Sequence, residues 1–440
     1  MNNAWNFNGN NRNLNNNNVN NTNQVGAVSN LSLSTTTMNE AEFFTYLMDV
    51  MFHTRKNKRR GKESVAYEAN WTALLVRDMN ARLERTLRVD ENYTFLVSLP
   101  RWREIMATSN GGRMVDHEIC DLLIPLCERV LSFYTFNNRK GKGSMAAINQ
   151  VIEHMNEVSQ GYTEPSRIIK LDLSGYFPNA LWSYAEQCMI GVLKLADVDE
   201  EWRSYIAWLI MIAAHCNPAA HCELRTPRHF WTEHISSEKS ILQKPAGVGA
   251  AIGRLFWQTA MGLYINDDIK WLIEVCGIKT VCFVDDIVMI VPERLHGYAL
   301  SLIPVLRKRF AKKNVRINDR KFYDQPYQHG LEFLGSHIKP YRAHLNNKTF
   351  WRAMDAVHKA NADTNKYRHL DHFVDQINSY TGLLKSRTDY NRLISLRDEL
   401  SPSWWKWLEW NSTRLCVTYK KEYSVNSRLN RKYHLKLKKL

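Results

Sequence analysis

The pattern of apolar and polar positions predicts a β-hairpin over residues 281–291 that carries two acids at its tip. Apolar, mostly β-branched residues occupy 281–284 and 287–291, and Asp285 and Asp286 stand between them. Short runs of this kind are typical of buried strands, and the pair between them is typical of a tight turn. Two adjacent ionised carboxylates repel each other and are costly to bury. The hairpin is therefore either an ordinary one with an acidic turn or part of a divalent-cation site that needs a third acid.

A second apolar run predicts a strand over residues 168–171 that ends at Asp172. Leu173 follows and, beyond a glycine, an aromatic pair that ends at Phe177. An acid that closes one strand, together with an acidic pair at the tip of a later hairpin, is the layout of a two-metal polymerase site. In such a site two Mg²⁺ ions hold the attacking 3′-oxygen, the α-phosphate and the leaving pyrophosphate.

The two segments together resemble motifs A and C of reverse transcriptases. Asp172 and Phe177 match positions of motif A, and Phe-Val-Asp-Asp at 283–286 matches motif C. The resemblance implies an α+β fold of the right-hand polymerase type, with fingers, palm and thumb and a helical C-terminal region. It also implies that Phe177 is the steric gate against the 2′-hydroxyl of rNTPs, so that the substrates are dNTPs. RNA-dependent RNA polymerases usually have Asp in place of this Phe and Gly before the acidic pair, where this chain has Val.

The same resemblance implies the metal ligands. Asp172, Asp285 and Asp286, with the backbone carbonyl of Leu173, would hold two Mg²⁺ ions, for which Mn²⁺ is an alternative. This donor set consists of oxygen alone, which such hard cations prefer. Lys321 falls where the family has its motif D lysine, a candidate general acid for the departing pyrophosphate.

Two segments after motif A extend the resemblance. Residues 243–253 resemble motif B, with Gly247 at the nucleotide, although Ala251 and Ile252 replace the usual Ser-Gln pair. Residues 331–338, which contain Phe-Leu-Gly, resemble motif E, the primer grip. The resemblance thus covers roughly residues 90 to 400.

The segment over residues 93–117 resembles the fingers hairpin of the same family. Asn110, Gly111 and Gly112 form a strong hairpin-turn signal, so strands are expected on both sides of them. Arg113, directly after this turn, matches the arginine that holds the triphosphate of the incoming dNTP. Arg101 and Arg103 are alternatives for that role.

Composition and periodicity predict three regions. Residues 1–37 are rich in Asn and cannot build a core, so they are expected to form a disordered tail. Residues 38–340 are expected to form the fingers and palm, and residues 341–440 a helical thumb with a basic tail. The first helix is expected to be capped by Thr37; further helical stretches are predicted at 117–160, with a basic break at 137–144, and at 180–196, 200–215 and 295–313.

Charge and cysteine usage narrow the class of protein. The 440-residue chain has a formal net charge of +15, which suggests a nucleic-acid partner. No apolar run approaches the ~20 residues that span a bilayer, and no signal pattern begins the chain. A cytoplasmic protein with reduced cysteines and no membrane partner is therefore expected. The ligand spacing of His215, Cys216, His221 and Cys222 is poor for zinc, and a helix end with a loop is expected there.

The expected function is RNA-directed DNA synthesis on an RNA template or a noncoding RNA, with DNA as the product. No ribonuclease H, endonuclease, integrase or maturase region is apparent. The chain therefore looks most like the defence-associated, or unknown-group, bacterial reverse transcriptases, which commonly pair with a small noncoding RNA and act against phage. Retron-like and diversity-generating enzymes are alternatives, and so is a catalytically retired RNA-binding module. A partner protein or a homo-oligomer is left open.

Overall fold

The computed structural model describes residues 38–56, 62–89, 92–98, 102–420 and 423. The expected Asn-rich tail, Arg101 and the basic C-terminal tail lie outside these residues. The predicted α+β class is confirmed, because helices and mostly antiparallel sheets alternate along the chain.

The helices of the described residues are distributed over the whole chain. In chain order they are α1 (Glu40–Thr54), α2 (Lys62–Ala69), α3 (Trp71–Leu83), α4 (Asn110–Val130), α5 (Ser144–Val158), α6 (Trp182–Leu193), α7 (Glu200–Ala214), α8 (His229–His234), α9 (Leu255–Tyr264), α10 (Asn266–Lys270), α11 (His296–Ala311), α12 (Asn347–Ala362), α13 (Lys366–Ser386) and α14 (Tyr390–Asp398). Short 3₁₀ turns occupy Ile241–Gln243, Glu293–Leu295, Asp319–Lys321, Tyr327–His329 and Pro402–Lys406, and a π turn occupies Trp271–Val275.

The strands are short and belong to four sheets. They are β1 (Asn92–Val97), β2 (Arg103–Thr108), β3 (Ser166–Ser174), β4 (Cys222–Leu224), β5 (Lys279–Phe283), β6 (Asp286–Pro292), β7 (Arg316–Ile317), β8 (Tyr323–Pro326), β9 (Leu331–Phe333), β10 (Ser336–Lys339), β11 (Arg342–Leu345), β12 (Leu408–Asn411) and β13 (Cys416–Tyr419). The sheet that matters for the site has the order β5-β6-β3-β7, and β8 also pairs with β3.

The chain divides into two compact units. The first comprises the chain up to Gly143 together with Ile169–Asp324, and the second comprises Ser144–Ile168 and Gln325–Leu440. The domain boundary expected after residue 340 stays a prediction, as does the assignment of fingers, palm and thumb to these parts of the chain.

The core of the first unit lies where helices α4, α6, α7 and α9 pack on one another. The buried residues of these four helices are apolar or have a polar or charged partner. Glu118 of α4, for example, is buried and meets the equally buried guanidinium of Arg82. Helix α7 begins at a cap in which the Asp199 carboxylate accepts the Trp202 N–H at 2.7 Å, and such caps typically stabilise a helix by about 1 kcal/mol.

The second unit has its own apolar core between helices α12, α13 and α14 and the β12–β13 hairpin. The rings of Phe373 and Trp404 stack at 3.9 Å within it. The region from residue 341 onward is predicted to be helical, but besides its helices it contains the strands β11, β12 and β13. In the β12–β13 hairpin, Trp410 lies opposite Val417, so that alternate residues meet the core.

The predicted turn at Asn110-Gly111-Gly112 is wrong. The hairpin is formed by β1 and β2, which pair from Asn92 with Thr108 to Val97 with Arg103, so its turn lies earlier in the chain. The Asn-Gly-Gly segment instead begins helix α4, where the Ser109 side chain accepts the Gly112 N–H. A Cβ on Gly112 would lie 2.0 Å from Oγ1 of Thr108. The glycine therefore permits close packing of the helix on the strand that precedes it.

The other predicted helices are found, with boundaries shifted by a few residues. The first helix is capped by Asn39, whose side chain accepts the Glu42 N–H while the Glu42 carboxylate accepts the Asn39 N–H. This capping box places the cap two residues after the predicted one, Thr37, which lies outside the described residues.

Candidate active site

The structure brings Asp172, on a strand, close to Asp285 and Asp286, which lie at the tip of a hairpin in the same sheet. Strand β3 carries Asp172 and lies beside β6, which begins at Asp286. The backbone N–H of Leu173 donates to the carbonyl of Asp285 at 2.8 Å. The hairpin tip is thereby fixed against the end of β3, as the two sequence segments together predicted. The role of the Leu173 carbonyl as a metal ligand stays a prediction.

The hairpin has a tight turn formed by Val284 and Asp285, one residue earlier than the predicted turn at Asp285 and Asp286. Phe283 pairs with Asp286 across it, and Val284 has a φ of 58°. This left-handed conformation costs an L-residue roughly 1–2 kcal/mol and is rare for a β-branched side chain. It persists because the surroundings fix the turn: the Val284 N–H donates to Oδ1 of Asn137 at 3.3 Å, and Cys282 exchanges backbone hydrogen bonds with the segment at 134–136.

Burial makes this group of carboxylates costly. The pKa of Asp285 is raised to about 6, first by burial and then by the charge of Asp286. The pKa of Asp286 is also raised by burial, although the positive charge of Lys170 opposes the rise. Both groups also feel the charge of Asp172. A site of this kind gains from any cation that enters it.

Two lysines place positive charge beside these carboxylates. The Lys170 ammonium lies 3.0 Å from Oδ1 of Asp286, and the Lys321 ammonium lies 2.6 Å from Oδ1 of Asp172. The amide of Asn318 donates to the other oxygen of Asp172 at 3.2 Å. Lys321, predicted from motif D, is therefore at the site.

Lys170 is a site residue that the sequence interpretation missed. A signal was present, because side chains two apart on a strand point to the same face, and Lys170 stands two residues before Asp172. Oδ1 of Asp286 is buried, and the Lys170 ammonium is its partner in an ion pair. That oxygen keeps its capacity for a metal ligand bond.

The oxygen-only donor set fits divalent magnesium or manganese. Three carboxylates, one of them with a buried oxygen, present hard anionic ligands. The two lysines balance part of the charge from outside the donor set. The residues therefore fit the cations that the sequence resemblance implied.

Phe177 and Gly247 lie on two loops that are joined by their backbones. The Ala250 N–H donates to the Phe177 carbonyl at 2.9 Å, and the Trp182 N–H donates to the Gly247 carbonyl at 3.0 Å. The Phe177 ring is half-buried and meets the ring of Tyr176 edge to face. The segment predicted as motif B is thus hydrogen-bonded to the segment that follows Asp172, and the nucleotide contacts of Phe177 and Gly247 stay predictions.

The unusual motif B residues have structural roles. Ala251 is buried in the core, and the Ile252 carbonyl accepts the Met106 N–H of β2 at 2.9 Å. Gly253 follows with a φ of 122°, and a Cβ there would lie 2.5 Å from the Met106 carbonyl oxygen. The Ala-Ile pair therefore joins this loop to the β1–β2 hairpin.

Arg113 lies on helix α4 and not directly after a hairpin turn, because the predicted turn is the start of that helix. Its guanidinium donates to the Tyr93 hydroxyl and, at 3.3 Å, to Oδ1 of Asn110. Its contact with a triphosphate stays a prediction. Arg103 is exposed at the start of β2.

The predicted primer grip is a hairpin in the second unit. Strands β9 and β10 pair antiparallel, and Leu334 with Gly335 forms the turn between them. The guanidinium of Arg387 donates to the Ser336 hydroxyl at 2.5 Å and to the Leu334 carbonyl at 3.2 Å. The hairpin is thereby held against the end of helix α13.

The His-Cys cluster near residue 220 is a helix end and a loop. His215 caps helix α7 and lies 2.7 Å from a carboxylate oxygen of Glu186. The Cys216 thiol donates to the Val89 carbonyl at 2.6 Å. His221 takes a left-handed backbone conformation within the loop. The side chains of His215 and Cys216 thus have separate partners.

None of the described helices combines the length and the apolar character that a bilayer crossing requires.

Comparison with known proteins gives a distant structural likeness. No protein-family model matches the chain, and no curated protein matches it. Among solved structures, apo telomerase from Candida tropicalis is 10% identical over 71% of this chain and 56% of its own, with a TM-score of 0.44. Telomerase from Candida albicans with a fragment of telomeric RNA is 10% identical over 74% and 61%, with a TM-score of 0.39. The chain spans less than two thirds of either telomerase, and scores of this size assign neither a family nor an activity.

Proposed function

We propose that the chain is an RNA-directed DNA polymerase, a reverse transcriptase that adds dNTPs to a 3′-hydroxyl. One observation carries the proposal: Asp172 on β3 lies beside the hairpin tip that carries Asp285 and Asp286, and burial with mutual repulsion raises the pKa of Asp285 to about 6. Such an arrangement is expensive unless cations enter it. Perturbed acids of this kind mark functional sites more often than structural ones.

Asp172, Asp285 and Asp286, with the Leu173 carbonyl, would hold two Mg²⁺ ions. When bound, these ions supply charge stabilisation for the attacking and the leaving oxygen. The protein's own part is to hold the carboxylates in place. It does so through the tight turn at Val284, the Leu173–Asp285 hydrogen bond and the two lysines.

Lys321 is the candidate general acid. Its ammonium is partly exposed and lies 2.6 Å from Asp172, so it can reach a leaving group at the same carboxylates. Phe177 would select dNTPs, since its ring is held beside Tyr176 and its carbonyl is tied to the motif B loop. A bulky ring at this place would meet a ribose 2′-hydroxyl.

The proposed partners are an RNA template or a noncoding RNA, with DNA as the product. The net charge of +15 supports a polyanionic partner. The proposed setting is antiphage defence in a bacterial cell, which rests on the resemblance to unknown-group reverse transcriptases alone. A partner protein or self-association would be part of that setting.

The decisive experiment is primer extension on an RNA template with each dNTP and Mg²⁺. We expect incorporation by the wild-type protein and none by Asp285→Asn or Asp286→Asn, because each loses a ligand charge and keeps its shape. Asp267→Asn, an exposed acid of helix α10, is the matched control and should extend primers normally. Extension by the Asp285→Asn, Asp286→Asn double variant at the wild-type rate would reject the proposal.

The defence role is tested separately by plaque counts. Cells expressing the gene with its native flanking DNA should resist some phages, and Asp172→Ala should remove the resistance. Equal protection by both proteins would favour a binding module over a polymerase. No protection against a broad phage panel would favour a retron-like or diversity-generating role.

A further inference from the structure

Helices α1 and α4 bring two histidines and one aspartate together, away from the residues proposed for catalysis. His53 lies in the last turn of α1, and His117 and Asp121 lie one turn apart on α4. Nδ1 of His53 is 2.6 Å from Oδ2 of Asp121, and Nδ1 of His117 is 3.3 Å from Oδ1 of the same carboxylate. The three ligand atoms lie within 4.8 Å of one another.

Asp121 differs from the other acids of helix α4 in its partners. Asp116, Glu118 and Glu128 are each paired with an arginine, namely Arg254, Arg82 and Arg139. Arginine is always charged, so these pairs neutralise each other permanently. Asp121 instead faces two imidazoles through its two oxygens. Imidazoles bring little fixed charge near neutral pH, but each offers a nitrogen lone pair to a metal.

We propose that His53, His117 and Asp121 bind a divalent transition-metal ion of the zinc class, which fastens helix α1 to helix α4. Two imidazoles and a carboxylate form a borderline-soft donor set that suits zinc and its neighbours better than magnesium. The i, i+4 spacing of His117 and Asp121 places both on one face of α4. His53 completes the set from a second helix, so an ion here would link two elements.

The observed distances leave room for such an ion. Bonds of about 2.0–2.1 Å at tetrahedral angles set ligand atoms about 3.3 Å apart. The His117 Nδ1 lies 3.3 Å from Oδ1 of Asp121, and one ligand atom from each of the three residues lies within 4.8 Å of the other two. The His53 Nδ1 contacts the other oxygen, Oδ2, at 2.6 Å, so these side chains must turn slightly for one Asp121 oxygen and both imidazoles to surround the same ion.

The position of the cluster allows an ion to enter. The His53 side chain is 46% exposed, whereas those of Asp121 and His117 are 24% and 19% exposed. His117 and Asp121 on α4 are therefore half-buried, and His53 lies at the surface. Three protein ligands leave a fourth position for water.

The first test measures zinc content and thermal stability in the full-length, untagged protein. The protein is stripped with a chelator and then exposed to Zn²⁺ with excess Mg²⁺ present to occupy the catalytic carboxylates. We expect about one zinc per chain after dialysis and a zinc-dependent rise in Tm. Asp121→Asn and His117→Asn should each weaken zinc binding by roughly 100-fold or more, because loss of even an outer-shell partner costs about 10–100-fold.

The matched control is His369→Ala in the second unit. His369 also lies 2.6 Å from an aspartate, Asp363, and is similarly exposed, but among the described residues no third His, Cys, Asp or Glu joins this pair as a possible metal ligand. This variant should keep the wild-type zinc content and Tm shift. Equal zinc content in Asp121→Asn and His369→Ala, or no zinc in the wild-type protein, would overturn the proposal.

A second measurement uses only the wild-type protein, so its outcome does not depend on whether a variant folds. Zinc should protect His53 of the wild-type protein from carbethoxylation, because a coordinated nitrogen cannot react, whereas exposed His369 should react equally with and without zinc. Modification of His53 at an unchanged rate would show that the cluster is only an ion pair. Primer extension is not the readout, so failure of the proposed polymerase activity and failure of this site are distinguishable.

Discussion

The ammonium of Lys170 lies 3.0 Å from Oδ1 of Asp286, and both side chains are largely buried. A lysine thus contacts the same carboxylate that is proposed to bind Mg²⁺. In the metal-free protein this lysine partly neutralises a group whose pKa is raised by burial. Because the ion pair and the proposed Mg²⁺ site share this carboxylate, metal binding would change the stability of the sheet.

Lys170→Met should destabilise the metal-free protein by roughly 1–3 kcal/mol, because it leaves the Asp286 carboxylate without its ion-pair partner. Added Mg²⁺ should recover more stability in this variant than in the wild-type protein. Urea unfolding with and without Mg²⁺ measures both effects. Lys170→Arg keeps the charge and serves as the control, and equal stability of Met and Arg variants would contradict the prediction.

Asp285→Asn should stabilise the metal-free protein at neutral pH. The folded-state pKa of about 6 lies above that of an unfolded Asp, near 3.9, so the folded state holds this proton more tightly. Stability from this group is therefore present at low pH and is lost as pH rises from about 4 through about 6. The full loss is on the order of 3 kcal/mol.

The difference in unfolding free energy between Asp285→Asn and wild type should be small at about pH 4 and largest at about pH 8. Added Mg²⁺ should make the wild type more stable than Asp285→Asn at about pH 8, because only the wild type keeps the full set of anionic ligands. Denaturant titrations at the two pH values provide the measurement. A pH-independent difference would mean that Asp285 titrates normally in the folded protein.

Phe177→Ala should admit rNTPs by removing the ring proposed to meet the 2′-hydroxyl. We expect the preference for dNTPs over rNTPs to fall by roughly 10-fold or more, since one such contact is worth about 1–3 kcal/mol. Single-nucleotide incorporation with paired dNTP and rNTP substrates measures the ratio. Tyr176→Phe, which keeps the neighbouring ring and removes only the hydroxyl that donates to the Met261 carbonyl, is the comparison. Unchanged discrimination in Phe177→Ala would assign Phe177 to packing.

Two glycines of the motif B segment should differ in their tolerance of alanine. Gly253→Ala should cost roughly 3 kcal/mol or more, because the new Cβ would meet the Met106 carbonyl oxygen at 2.5 Å in a strained backbone. Gly247 has a φ of 90° but no atom near its Cβ position. Gly247→Ala should therefore cost only about 1 kcal/mol. Thermal denaturation of both variants measures the two losses of stability, and similar losses would contradict the prediction.

RNA affinity should fall steeply with salt if the +15 charge serves nucleic-acid binding. Each phosphate contacted on a single strand contributes about −0.7 to the slope of log K against log salt. Fluorescence anisotropy between low and physiological salt gives the slope. A flat dependence would remove nucleic acid as the reason for the basic composition.

Local sequence was sufficient for the elements that carry the three acids. The β-branched runs around Asp285 and Asp286 and before Asp172 have few alternatives to strands, and the structure has β3, β5 and β6 there. Resemblance to a family then placed Lys321 at the same site, where its ammonium contacts Asp172. These signals lie within short segments and do not depend on packing.

Tertiary structure decided what distant segments do to one another. The Asn-Gly-Gly segment suits a hairpin turn equally well, and its packing against Thr108 made it a helix start. Lys170 became a site residue because β6 placed Asp286 beside it, and His53 met His117 and Asp121 because α1 packs on α4. Pairings of this kind arise from the free energy of the whole core, which no local pattern of residues encodes.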